Sequence, residues 1–164
     1  MSKLYLVVII LLLLPGCNRH ENGQEQKALA EQYIRGVYEC DSTIVDNLAA
    51  DSIVISYPIF EKLFNTPAIR GKDAVRNFVG HFCSRWKEQK YTFHEAIAES
   101  GKVVLVWSFK ARYVGPQQPG GPPANQVQKW GGITLIRFNE AGKIEAEIGE
   151  ESDPGPYGRV AQDY

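Results

Sequence analysis

The sequence predicts an α+β domain in which N-terminal helices pack on one face of an antiparallel sheet. Helical spacing of apolar residues dominates the first half of the chain, and runs of β-branched and aromatic residues separated by turns dominate the second half. Helices that precede a run of strands commonly pack together on one face of the sheet. Because a twisted sheet cannot meet straight helices evenly, we expect one end of the domain to open as a pocket.

The helices are predicted from four-residue and three-residue apolar spacing. Residues 24–39 carry Leu29, Tyr33 and Val37 at four-residue spacing, and 44–48 follows as a short second helix. The clearest periodicity begins after Gly71 and places one apolar face on a third helix, formed by Val75, Phe78, Val79, Phe82 and Trp86.

The strands are predicted from alternation and from turn residues. One strand is expected in the first half, at residues 52–57, and four in the second half, at 91–99, 103–114, 127–138 and 144–150. Gly101 and Gly142 supply tight turns between strands. Residues 115–126 are too rich in proline and glycine for a ladder, so they form a long loop, either a lid or, as we favour, only a mobile tip.

The N-terminus has the pattern of an export signal. A single lysine and a short apolar run lead into Leu14-Pro15-Gly16-Cys17, which resembles the lipobox of bacterial lipoproteins. This predicts a signal peptide at 1–16, lipidation of Cys17 (palmitate among the acyl chains), a tether at 17–26, a domain at 27–153 and a tail at 154–164. The protein would then be anchored in the bacterial cell envelope, at the outer membrane or the periplasmic face. Plain secretion and an uncleaved anchor are the alternatives.

The composition excludes some partners. Removal of Lys3 with the signal leaves 17 of the 18 basic residues against 19 acidic ones, a net charge of −2, so nucleic acid is not an expected partner. No CxxC, HxH or HExxH motif is present, and we expect neither a metal nor a cofactor. With Cys17 lipidated, Cys40 and Cys83 would be an even pair in an oxidising compartment and could form a disulfide. We favour the alternative, two small buried hydrophobic residues on helices.

Three stretches resemble the nuclear transport factor 2-like superfamily, particularly its SnoaL-like branch. They are "LAADSIVISYP", "IRGKDAVRNFV" and "TLIRFNEAGKIEAEIGEESD", and the resemblance covers about residues 26–153. It implies a cone of curved sheet with helices packed on the concave face and a pocket in its mouth. The superfamily includes polyketide cyclases, ketosteroid isomerases, epoxide hydrolases, dehydratases and pure binding or dimerisation modules, so the fold alone does not set the function.

The resemblance also suggests catalytic positions. Ketosteroid isomerases have a general-base aspartate just before the proline that ends the first strand, where this chain has Tyr57, a poor base but a possible hydrogen-bond donor. In polyketide cyclases an acidic residue near the end of the domain acts as acid or base. On the last predicted strand, Glu150 is the carboxylate that follows the face formed by Ile144, Ala146 and Ile148. A register wrong by one residue would instead turn Glu147 and Glu151 inward.

Three further residues are candidates for ligand contact, and three functions remain open. Trp107 and Trp130 lie on adjacent predicted strands and could wall a pocket for a flat ligand, and His94 lies on the strand before them. The first hypothesis is a domain that binds a small, largely apolar ligand. The second is a proton-transfer enzyme that uses Glu150 as acid or base with Tyr57 as hydrogen-bond donor. The third is an interaction module that forms a homodimer through the open face of its sheet.

Overall fold

The computed structural model describes residues 18–117 and 121–160. The predicted signal peptide and Cys17 lie outside the described residues. The helices and strands follow in the order α1 (Asn18–Tyr38), α2 (Thr43–Leu48), β1 (Ala49–Ser56), α3 (Pro58–Phe64), β2 (Ile69–Arg70), α4 (Lys72–Arg85), β3 (Trp86–Glu99), β4 (Lys102–Tyr113), β5 (Val127–Phe138), β6 (Ile144–Ser152) and α5 (Pro156–Val160).

The strands form one six-stranded sheet in the order β2-β1-β6-β5-β4-β3. Strands β3 to β6 are a meander in which each strand pairs antiparallel with the next. Strand β1 pairs antiparallel with β2 but parallel with β6, so the sheet is mixed. The α+β prediction is confirmed, and the parallel β1–β6 pair is the one feature that an antiparallel sheet does not contain. It arises because the meander brings β6 back beside β1 in the same direction.

The hydrophobic core lies between the helices and one face of the sheet, called here the inner face. The predicted apolar face of α4 is buried there through Val75, Phe78, Val79 and Phe82. Helix α1 contributes Tyr33, Ile34 and Val37, and the central strands contribute residues such as Leu105, Phe109 and Ile136. Each fully buried side chain of this size contributes about 1.5–3 kcal/mol, so the inner face is the main source of stability.

Cys40 and Cys83 form a disulfide that joins the residues after α1 to α4. Their Cα atoms are 5.8 Å apart, and 43 residues separate them in sequence. The favoured interpretation of two unpaired buried thiols is therefore wrong. Sequence spacing could not decide between the two, because the pairing depends on how α1 and α4 cross over the sheet.

Three short elements, α3, β2 and α5, lie in segments for which the sequence predicts no helix or strand. Pro58 occupies the first turn of α3, where its missing N–H costs no hydrogen bond, and residues 69–70 pair with β1 as β2. The tail contains α5, which packs on β4 and β5. Among the described helices none is long and apolar enough to span a bilayer.

Candidate functional site

The register of strand β6 determines which acidic side chains point into the domain. Phe138 pairs with Ile144 but Arg137 pairs with Ala146, so β6 has one extra residue at this point. Such a β-bulge reverses the alternation of side chains that follows it. Glu147 is consequently buried on the inner face, whereas Glu150 is exposed on the opposite face, called here the outer face.

Glu147 is a fully buried carboxylate surrounded by phenols. The hydroxyls of Tyr38 and Tyr57 both donate to Glu147 Oε1, at 2.7 and 2.8 Å. The Tyr33 hydroxyl lies close enough to lower the pKa of the same carboxyl. Within the described residues, however, neither Tyr33 Oη nor Glu147 Oε2 makes a well-formed hydrogen bond. The buried carboxyl is thus held by hydrogen bonds from phenols, and among residues 18–117 and 121–160 no cation pairs with it.

The hydrogen bonds continue from Tyr57 to the centre of the sheet. Thr134 Oγ1 lies 2.9 Å from Tyr57 Oη and accepts a bond of 2.9 Å from Trp107 Nε1. When Tyr57 donates to Glu147, the Thr134 hydroxyl is free to donate to Tyr57, so the chain runs in one direction from the indole to the carboxylate. Gly149 permits this arrangement, because a Cβ at that position would collide with the Tyr57 ring.

The pKa of Glu147 reflects two opposing effects. Burial raises it from 4.5 to about 7, and the hydrogen bonds from the tyrosines oppose that rise. Burial likewise raises the pKa values of Tyr33, Tyr38 and Tyr57 well above 10, and the nearby carboxylate adds to the effect. The phenols therefore stay protonated, and Glu147 changes charge near neutral pH.

A cavity of about 580 Å³ opens beside this cluster. Ten of its lining residues are aromatic, namely Tyr38, Tyr57, Phe78, Phe82, Trp86, Tyr91, Trp107, Phe109, Tyr113 and Trp130. The Trp130 ring centroid lies 5.2 Å from that of Trp86 and 4.7 Å from that of Phe109. The volume is within the usual range for small-molecule sites, and flat rings suit a flat, apolar guest.

Glu151 is the inward carboxylate that lines this cavity. Its pKa is raised to about 7, chiefly by burial and to a smaller extent by the nearby Glu147 carboxyl, while the adjacent Trp130 indole opposes the rise. A carboxyl with a pKa near 7 can accept or donate a proton at neutral pH. Glu151, which faces the cavity, is therefore better placed than the enclosed Glu147 to exchange a proton with a bound molecule.

The structure separates the candidate residues into two groups. Tyr57, Trp107 and Trp130 all line the cavity. Glu150 does not, and its predicted inward position is wrong because the bulge in β6 reverses the alternation. His94 is also outside the cavity: it is exposed on the outer face, 2.7 Å from Ser108 Oγ, with its ring stacked 4.0 Å from that of Tyr157.

Most of the carboxylate cluster is not predicted from the sequence. Glu147 and Glu151 are expected inside only in the alternative register of the last strand, and no sequence pattern singles out Tyr38. The useful signal was Gly149 between two inward acids, since a glycine there leaves room for a ring from a neighbouring strand. In the part of the chain that the structure describes, no group of three or more histidine, cysteine or acidic side chains is arranged to hold a metal.

Comparison with known proteins identifies the domain. The family model of the SnoaL-like domain matches residues 30–147. None of the curated proteins is significantly similar to the chain. Among solved structures, TsrD from Streptomyces laurentii is 21% identical with a TM-score of 0.61, and the match covers 82% of this chain and 91% of that one.

Two further structures support the same fold. A putative SnoaL-like polyketide cyclase from Shewanella denitrificans is 14% identical with a TM-score of 0.67, and the match covers 84% of this chain and 98% of that one. SalBIII is an epoxide hydrolase/cyclase-like enzyme with a role in pyran ring formation in the polyether salinomycin. It is 16% identical with a TM-score of 0.60, and the match covers 79% of this chain and 92% of that one. The open six-stranded sheet with its N-terminal helices agrees with this cone fold. The chain therefore belongs to the SnoaL-like domain family.

Proposed function

We propose that this domain binds a small, largely apolar ligand in the aromatic cavity. The observation that carries this proposal is the cavity of about 580 Å³ walled by aromatic rings. A cavity of this volume and lining would bury most of the surface of a two- or three-ring molecule. The Glu151 carboxyl, which lines the same cavity, would then orient the guest.

Calorimetric titration with 2-naphthol tests ligand binding. We would use the full-length protein in lipid nanodiscs, with empty nanodiscs as a blank, so that no detergent competes for the cavity. Trp130→Ala should weaken binding, because it removes a large part of the aromatic wall. Tyr157→Ala is the matched control, because Tyr157 is an aromatic residue on the outer face, and it should leave affinity unchanged. Absence of binding by the parent protein would contradict the proposal.

A second candidate function is proton transfer in the same cavity. Glu151 supports it, since its pKa of about 7 suits a general acid or base at neutral pH. The structurally similar proteins described as polyketide cyclase and as epoxide hydrolase/cyclase-like also support it. In this scheme Glu151 takes a proton from a carbon or hydroxyl of the bound molecule, and the aromatic walls exclude water.

Hydrogen exchange at the α-carbon of 2-tetralone in deuterated water provides a test of proton transfer. If Glu151 acts as the base, the protein-dependent exchange rate should rise as the pH rises through about 7 and then level off, since only the ionised carboxylate accepts a proton. Glu151→Gln should remove most of that rate. Glu150→Gln is the matched control on the adjacent, exposed residue. Equal exchange in the two variants would exclude Glu151 as the base.

We also propose that the chain is exported and anchored by lipid at Cys17 in the bacterial cell envelope. The lipobox-like sequence supports the anchor, and the Cys40–Cys83 disulfide supports an oxidising compartment. Cys17→Ala should leave the precursor uncut or release the protein from membranes, as measured by cell fractionation and mass spectrometry. Unchanged cleavage and membrane retention in that variant would contradict the anchor.

A homodimer through the outer face is supported by a row of apolar side chains. Four adjacent strands place Ile97, Val104, Leu135 and Ile148 side by side on that face. Of these, Ile97 is 61% exposed and Ile148 is 40% exposed. Apolar residues that form a continuous row across a sheet are typical of an interaction surface.

The apolar row can pair with an identical row, which favours a second copy of the chain as the partner. Glu95 and Glu150 flank it on one side, and Glu99, Lys102 and Arg137 flank it on the other. A two-fold axis along the row would place the apolar row of one copy over that of the other, as an isologous interface requires. Ile148→Asp should shift a dimer to monomer in analytical ultracentrifugation, whereas Ala141→Asp, in an exposed turn, should not. A monomeric parent protein would contradict this candidate.

A further inference from the structure

The cavity contains a cation that the hydrogen-bond network does not use. Arg85, the last residue of α4, lines the cavity and is half-buried. Its backbone carbonyl accepts a hydrogen bond from Val114, which holds the end of α4 beside the end of β4. Its Nε makes only a long bond of 3.4 Å to the carbonyl of His81. Throughout residues 18–117 and 121–160, no carboxylate pairs with this guanidinium.

The charge balance of the cavity differs from that of the whole chain. The chain has a net charge of −1, yet the cavity is lined by Lys62, Arg85 and Lys129 against only two acids, Glu151 and Asp153. Because the pKa of Glu151 is about 7, this carboxyl is half-protonated at neutral pH. The cavity is therefore net positive in a weakly acidic protein.

Arg85 and Glu151 reach the cavity from different elements, Arg85 from the end of α4 and Glu151 from the end of strand β6. In the part of the chain that the structure describes, no hydrogen bond or ion pair joins the two side chains. Arg85 is close in sequence to two aromatic residues that line the same cavity. Phe82 precedes it by three residues, and Trp86 follows it directly. A guanidinium with free N–H groups beside flat rings suits a planar molecule that carries a carboxylate.

We propose that the ligand of this cavity is an aromatic or polycyclic carboxylate whose carboxylate group pairs with Arg85. This inference rests on the proposed function, because it specifies the chemical class of the small ligand. The apolar rings of the ligand lie between the aromatic walls, its anionic group faces Arg85, and Lys62 at the exposed rim adds attraction for the negative charge. Arg85 then determines specificity for an anion over a neutral molecule of the same shape.

The test compares two probes of nearly equal shape, 2-naphthoate and neutral 2-naphthamide. Titration calorimetry of the full-length protein in nanodiscs should show tighter binding of 2-naphthoate by about tenfold, the effect of one charge-assisted hydrogen-bonded pair. Arg85→Gln should remove that preference by weakening 2-naphthoate alone, and Arg85→Lys should keep part of it. Arg70→Gln is the matched control, since Arg70 is exposed on β2 and does not line the cavity.

The outcomes separate this inference from the proposed function. Equal affinity of the parent protein for both probes would overturn the carboxylate inference and leave ligand binding intact. An equal loss of affinity for both probes in Arg85→Gln, with no recovery of affinity in Arg85→Lys, would show that Arg85 only supports the fold. That result would also overturn the carboxylate inference. Failure of both probes to bind the parent protein would overturn the proposed function together with the inference.

Discussion

The two faces of the sheet differ in which polar and apolar side chains they bury and which they expose. On the inner face, β6 buries Glu147 completely among tyrosines and places Glu151 in an aromatic cavity. On the outer face, the same strand exposes Ile148 and Glu150. A buried carboxylate is costly to keep, and an exposed isoleucine contributes little to folding, so neither arrangement is explained by stability alone.

This difference agrees with our two separate proposals for the inner face and the outer face. The inner face combines a core with a polar network in which Tyr38 and Tyr57 donate to Glu147, and removing one member of such a network leaves its buried partners without a hydrogen bond. The outer face carries apolar residues in a row that the described part of the chain leaves uncovered at Ile97 and Ile148. The inner face is therefore suited to a small ligand and the outer face to another protein surface.

The largest expected effect distinguishes the two faces by removing one acid from each. Glu147→Ala should lower the free energy of unfolding by about 3 kcal/mol, because it leaves a cavity and buried phenols without an acceptor. Glu150→Ala should change it by less than about 0.5 kcal/mol, as expected for an exposed residue. Urea denaturation measures both values. Equal losses in the two variants would show that the assignment of the faces is wrong.

The pH dependence of stability should also come from the inner face. The pKa of Glu147 is about 7 in the folded protein against an ordinary 4.5. Its contribution is therefore fully present below about pH 4.5 and is lost as the pH rises through about 7. Glu151 acts in the same direction, because its pKa is also raised to about 7. We therefore expect the free energy of unfolding to fall as the pH rises from about 4.5 to about 7.

Glu147→Gln provides the check on that pH dependence. An amide does not titrate, so this variant should lose part of the fall in stability, and the remainder should come from Glu151. Glu150→Gln is the matched control, since it changes an exposed acid of the same strand on the outer face. Urea denaturation at a series of pH values measures the effect. A Glu147→Gln curve that coincides with that of the parent protein would contradict the raised pKa.

The smallest expected effect tests the close approach that lets Tyr57 reach the carboxylate. Gly149→Ala should lower the free energy of unfolding by about 1–2 kcal/mol, because the added methyl group collides with the Tyr57 ring. Gly80→Ala is the matched control: no atom lies near its added methyl group, and it should stabilise α4 by up to about 1 kcal/mol. Thermal unfolding followed by circular dichroism compares them. A neutral Gly149→Ala variant would show that Tyr57 can move without cost.

The sequence predicted the elements better than it predicted the sides of the strands. The amphipathic face of α4 and the whole of β5 follow from patterns within a few residues, and both are confirmed. The interior position of Glu150 was inferred from strict alternation along β6, and a single bulge beside Ile144 was enough to reverse it. Bulges are set by pairing with a neighbouring strand, so residue order does not show them.

Residue order by itself determined the α+β class and the positions of the main helices and strands, because these depend on local propensity and periodicity. It also carried the resemblance to the SnoaL-like family, through three stretches of similar sequence. Only the tertiary structure decided which residues meet. It showed that the Tyr38 and Tyr57 hydroxyls donate to Glu147 and that Cys40 is bonded to Cys83. It also showed that Arg85 lines the aromatic cavity. These contacts join residues from separate helices and strands, and their geometry is fixed by how the helices cross the twisted sheet.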